Sequence, residues 1–80
     1  MRLEFRDIEE FLAKVSEHPT KLRVYCINRF PLNTRIRAVA QSVKNTFVYE
    51  AWIINEHGEK QIEEIESLLA EYDFTEVKEI

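Results

Sequence analysis

The sequence predicts an α+β domain, a two-layer sandwich in the order β-α-β-β-β-α-β, with a mainly antiparallel sheet and both helices on one face. Three observations carry this expectation. Two stretches, near residues 8–17 and 59–72, repeat apolar residues at helical spacing. Three consecutive runs between residues 21 and 55 are rich in β-branched and aromatic residues and are separated by turn formers. Short alternating segments stand at both ends of the chain. Amphipathic helices flanking a three-strand meander bury their stripes by packing on one side of a sheet.

Met1, Leu3 and Phe5 alternate with Arg2, Glu4 and Arg6, the pattern of a short strand with one buried face. Asp7 offers an N-cap with Glu10 three residues on, and Ile8, Phe11, Leu12 and Val15 form one helical stripe. This helix should run from Ile8 to Glu17 and stop at His18, because Pro19 disfavours helical geometry in the residue before it. Strands are expected over Lys21–Asn28, Thr34–Val43 and Thr46–Asn55. A two-residue loop at Lys44–Asn45 makes partner numbers sum to 89, so that Val39 faces Glu50, Arg37 faces Trp52 and Arg35 faces Ile54. Matching Leu22, Val24 and Cys26 with Ala40, Ala38 and Ile36 gives a sum of 62 and a loop over 29–33. The core face then carries these six residues with Phe47, Tyr49, Ala51 and Ile53. After Gly58 a second helix turns Ile62, Ile65, Leu68, Leu69 and Tyr72 inward, and Phe74–Ile80 reads as a terminal strand.

Composition narrows the function. The chain has 80 residues, 9.6 kDa and a formal net charge of −4, with 45% apolar and 32% charged residues, as expected of one small domain. A single Cys excludes an internal disulfide, and a single Gly excludes a phosphate-cradling loop or a dinucleotide fingerprint, each of which needs several. No uninterrupted apolar run exceeds four residues, as in Ala51–Ile54, and charges break the N-terminal segment. A soluble, cytoplasmic protein without a membrane span is expected. Abundant Glu and scarce Gly point to a thermophilic source.

The registers place Arg23, Tyr25, Ile27, Arg35, Arg37, Val39, Glu50, Trp52 and Ile54 on the sheet face turned away from the helices. Arg37 would lie between the rings of Tyr25 and Trp52, a cation–π arrangement. Aromatic and arginine anchors among apolar neighbours read first as a partner surface, most simply for a second copy of the chain. A second reading is single-stranded nucleic acid, with Tyr25 and Trp52 stacking on bases and the arginines following phosphates. The plainest reading is a solvated face whose Arg stems cover apolar neighbours. A third function, inhibition of a basic partner, would use the glutamate-rich second helix.

No catalytic residue, metal or cofactor is expected. His18, His57 and Cys26 lack metal-site spacing, Cys26 points into the predicted core, and Glu63 and Glu64 diverge on their helix. In the 29–33 loop, Phe30 and Leu32 flank Pro31; we expect them to lid the core, with a docking tip as the alternative. Residues 18–49 carry six bases and no acid, whereas residues 50–80 carry ten acids and two bases. These two charges are expected on opposite sides of the domain.

Overall fold

The computed structural model describes residues 1–80 and realises the expected element order: β1 (Arg2–Phe5), α1 (Ile8–Ser16), β2 (Thr20–Arg29), β3 (Asn33–Ser42), β4 (Thr46–Ile54), α2 (Glu59–Glu71) and β5 (Thr75–Glu76). The fold is α+β, with a sheet ordered β1-β4-β3-β2-β5. This sheet is mixed rather than mainly antiparallel: β2/β3 and β3/β4 are antiparallel, while β1/β4 and β2/β5 are parallel. The connections β1-α1-β2 and β4-α2-β5 each cross three positions in the same direction, so right-handed crossovers put both helices on one face.

Local chemistry sets the helix ends. The Asp7 carboxylate accepts hydrogen bonds from the backbone N–H groups of Glu9 and Glu10 and starts α1. α2 stops at a left-handed residue, Asp73 with φ 65°, where the Phe74 and Asp73 N–H groups bond to the carbonyls of Leu69 and Ala70. Phe11, Leu12 and Val15 of α1 and Ile62, Ile65 and Leu69 of α2 join Ile36, Ala38, Ala40, Phe47, Tyr49 and Ile53 in one buried cluster. None of the helices is long and apolar enough to cross a membrane.

Both expected registers shift, with opposite consequences. The β3/β4 turn is Val43–Lys44, closed by Ser42, whose hydroxyl accepts from the Asn45 N–H at 3.0 Å. Partner numbers therefore sum to 87, a shift of two that leaves every side chain on its expected face. In β2/β3 the first pair, Thr20 with Ser42, keeps the expected sum of 62, but a bulge at Lys21 raises it to 63 from Leu22 onward. One extra residue turns the rest of β2 over. Tyr25 is consequently 5% exposed inside the core cluster, where its hydroxyl donates to Glu66, and Ile27 packs against the same cluster. Arg23 also turns to the helix side, runs over the Phe74 ring and donates to the Tyr72 carbonyl at 2.7 Å.

The terminal strand is shorter than expected. After Thr75 and Glu76 pair with β2, the Val77 N–H bonds to the Tyr25 carbonyl and the ladder ends. Short strands at both edges limit unwanted edge pairing.

Burial acts most strongly on Tyr49, whose hydroxyl it pushes up to about 12, with the Asp7 charge adding to the effect. Tyr25 is raised too, by burial first and then by Glu66 and Glu76. Below pH ~10 tyrosine is neutral in both folded and unfolded chains. Above it the unfolded chain ionises while Tyr49 stays neutral, so stability is full below pH ~10 and is lost as the pH rises towards 12. Thermal unfolding followed across this window should show a steep fall in the native chain and a shallower one in Tyr49→Phe.

Candidate interaction surface

The face opposite the helices is built in rows. Across β4 and β3 the outward pairs are Thr46/Gln41, Val48/Val39, Glu50/Arg37, Trp52/Arg35 and Ile54/Asn33. β2 adds Leu22, Val24, Cys26 and Asn28, and β1 adds Arg2 and Glu4. Arg35, Arg37, Val39, Glu50, Trp52 and Ile54 thus lie together where the sequence places them. Arg23, Tyr25 and Ile27 do not, because the Lys21 bulge sends them to the helix side. The expected Tyr25/Arg37/Trp52 sandwich is replaced: Arg37 sits between Cys26 and Glu50, and Arg35 has its guanidinium 5.9 Å from the Trp52 ring centroid.

The same flip moves Cys26. It is buried, but on the outer face and apart from the core cluster, opposite Arg37 and 3.4 Å from the Asn28 side-chain oxygen. A long arginine stem covers small apolar neighbours in this way. Arg35 donates to Asn28 at 2.8 Å, while the Nε atoms of both Arg35 and Arg37 are buried without a partner. Arg37 and Glu50 are direct cross-strand neighbours, yet they form no ion pair with each other.

The end of this face formed by the β2/β3 loop and the end of β4 is strongly apolar. Phe30 (44% exposed), Leu32 (81%), Trp52 (53%) and Ile54 (71%) crowd there, and the Phe30 and Trp52 rings stack at 5.9 Å. Phe30 and Leu32 therefore do not lid the core. They form a tip, which Asn55 fixes in place. Its backbone N–H bonds to the Leu32 carbonyl, its side-chain amide donates to the Phe30 and Pro31 carbonyls, and its side-chain oxygen accepts from the buried Thr34 hydroxyl at 2.6 Å. Sequence reasoning missed Asn55; the signal available was a lone amide immediately after a strand, beside an apolar, proline-containing loop.

Charge separates less cleanly than the segment totals imply. Arg29 pairs with Glu59 at the start of α2 at 3.4 Å, and Arg23 is used on the helix side. Of the six central bases, Arg35 and Arg37 alone stand in the outward rows of β3, facing Trp52 and Glu50. No three His, Cys, Asp or Glu side chains converge as a metal-binding group. Comparison with protein-family models, with curated proteins and with solved structures finds no match, so the surface must be read from its own geometry.

Proposed function

We propose that this chain is a non-catalytic interaction module whose outer sheet face associates with a protein surface, in the first place that of a second copy. The observation that supports this most is the rigid apolar tip: four large side chains exposed side by side, pinned by Asn55 instead of being folded inward. Contiguous apolar patches of this kind mark interaction sites. Trp and Arg side by side at the patch are the residue types that anchor interfaces.

Light scattering of the native chain at high micromolar concentration should give twice the 9.6 kDa monomer mass. Trp52→Ala should return the monomer mass while leaving the fold intact, because Trp52 lies outside the core cluster. A native chain that stays monomeric, or a Trp52→Ala variant that associates as before, contradicts the reading.

The placement of Arg35 against Trp52 also favours a second reading, in which the face holds single-stranded nucleic acid by stacking and phosphate contact. Against it stand Glu50 beside Arg37 and a Trp52 ring already stacked on Phe30. Binding of a labelled single strand that weakens steeply with salt, and is lost in Arg35→Ala with Arg37→Ala, would favour this alternative. Inhibition of a basic partner through α2 has less support, since Glu59 and Glu66 already contact Arg29 and Tyr25.

A further inference from the structure

We infer that the partner is a second copy held on a two-fold axis that runs parallel to the strands, midway between β3 and β4, with Arg37 of each copy meeting Glu50 of the other. This rests on the reading of the outer face as a self-association surface and specifies its geometry.

When two identical sheets pack face to face, the two-fold axis lies between them, either along the strands or across them. An axis across the strands lays β3 on β3 and β4 on β4. Arg37, on β3, then never meets Glu50, on β4, and at several positions along the strands arginine faces arginine. An axis along the strands and midway between β3 and β4 lays each of these strands on the other strand of the second copy. Each outward row then meets itself reversed: Val39 faces Val48, Arg37 faces Glu50, and Arg35 faces Trp52, each twice. One placement therefore satisfies cation with anion and guanidinium with indole, while Val48, already buried in the single chain, adds no area of its own. Either axis leaves the strands of the two sheets aligned, the arrangement in which sheets pack about 10 Å apart at close to −30°, so the choice between the axes rests on the side-chain pairing.

Two features of the single chain fit this arrangement. Arg37 and Glu50 are neighbours that leave each other unpaired, and Arg37 makes no side-chain hydrogen bond of its own. The size also fits. At about 4.8 Å between strands and 3.4 Å per residue, the four strands that overlap about this axis, β1, β4, β3 and β2, present a flat footprint of roughly 540 Å² before side-chain relief. A standard interface takes about 800 Å² of accessible surface from each partner. The two apolar tips fall at the same end of the dimer, where Phe30, Leu32 and Ile54 extend the contact.

The test is a charge exchange read by sedimentation equilibrium. Arg37→Glu and Glu50→Arg should each weaken self-association at least about a hundredfold, because each places two like-charged pairs in the interface. Circular dichroism and thermal unfolding check that both still fold. Mixed together, the two variants should form a one-to-one heterodimer, since every contact is then between opposite charges, and the double variant should dimerise again by itself. Should a reversal prevent folding, Arg37→Gln and Glu50→Gln should still each weaken association about tenfold or more. Failure of the mixture to dimerise, or single variants that associate like the native chain, overturns this axis. If Trp52→Ala nevertheless abolishes association, the apolar face stands and only its geometry is wrong. A monomeric native chain overturns both.

Discussion

Gly58→Ala is expected to cost about 3 kcal/mol, the upper part of the usual range for overpacking, and so to lower the melting temperature by roughly 12 to 24 °C in a domain of this size. Gly58 is the buried N-cap of α2, and its carbonyl accepts the first helical bond, from the Ile62 N–H. Its φ of −96° is open to any residue, so the requirement for glycine comes from close approach alone. A methyl group there would collide with the Ile54 carbonyl oxygen and lie 2.7 Å from Cγ2 of Ile53. Ile53 belongs to the core cluster and the Ile54 carbonyl is backbone, so neither yields easily. Differential scanning calorimetry of Gly58→Ala checks this. A melting temperature within a few degrees of the native value would mean that α2 does not enter so close to β4.

Tyr25→Ala should cost about 3 to 5 kcal/mol, the range for removing a large aromatic side chain from a core. It loses the helix-side packing within the cluster and the contact with Glu66. Trp52→Ala should change monomer stability far less, because Trp52 is half exposed and its neighbours are Phe30 and Arg35. Urea unfolding of the two variants, at concentrations too low for association, separates the two environments. Equal small losses would place Tyr25 beside Trp52 on the outer face and would contradict the turned-over β2.

That contrast locates where sequence patterning carries the fold and where it stops. The helices, the meander and the faces of β3 and β4 follow from periodicity, since one set of alternate residues in β3 and β4 carries no charge while the other carries Arg35, Arg37 and Glu50. β2 is different because both of its faces are largely apolar: Leu22, Val24 and Cys26 on one, Tyr25 and Ile27 on the other. Pattern matching favours the face without a charge and so rejects Arg23. The folded chain prefers the face with the large ring, which buries more area, and lets the Arg23 stem lie along Phe74 until its guanidinium reaches Tyr72. The bulge at Lys21 that makes this choice leaves no mark in composition. The β3/β4 turn lies one residue from its expected position and the faces are unchanged, because moving a hairpin turn by one shifts the register by two. The parallel pairing of β1 with β4 and of β5 with β2 is also beyond local pattern, since it depends on which strand each short edge strand finds.

The site was legible to the same extent. Arg35, Arg37, Val39, Glu50, Trp52 and Ile54 share β3 and β4, whose faces follow from periodicity. Arg23, Tyr25 and Ile27 share β2 and were turned over together. The apolar tip was visible as Phe30-Pro31-Leu32, but its outward direction depends on the hydrogen bonds of Asn55, which join residues far apart in the chain.

The claim that the outer face is covered by a second copy is tested most directly by Trp52, the only tryptophan in the chain. Half exposed in the single chain, its ring lies within the proposed contact, one row from the Arg37/Glu50 pair and beside the apolar tip. Acrylamide quenching of its fluorescence, measured over a dilution series, reports that burial without any substitution. The account predicts strong quenching in dilute solution and progressively weaker quenching as concentration rises, in step with the approach to dimer mass. A quenching constant that stays the same at every concentration would contradict it.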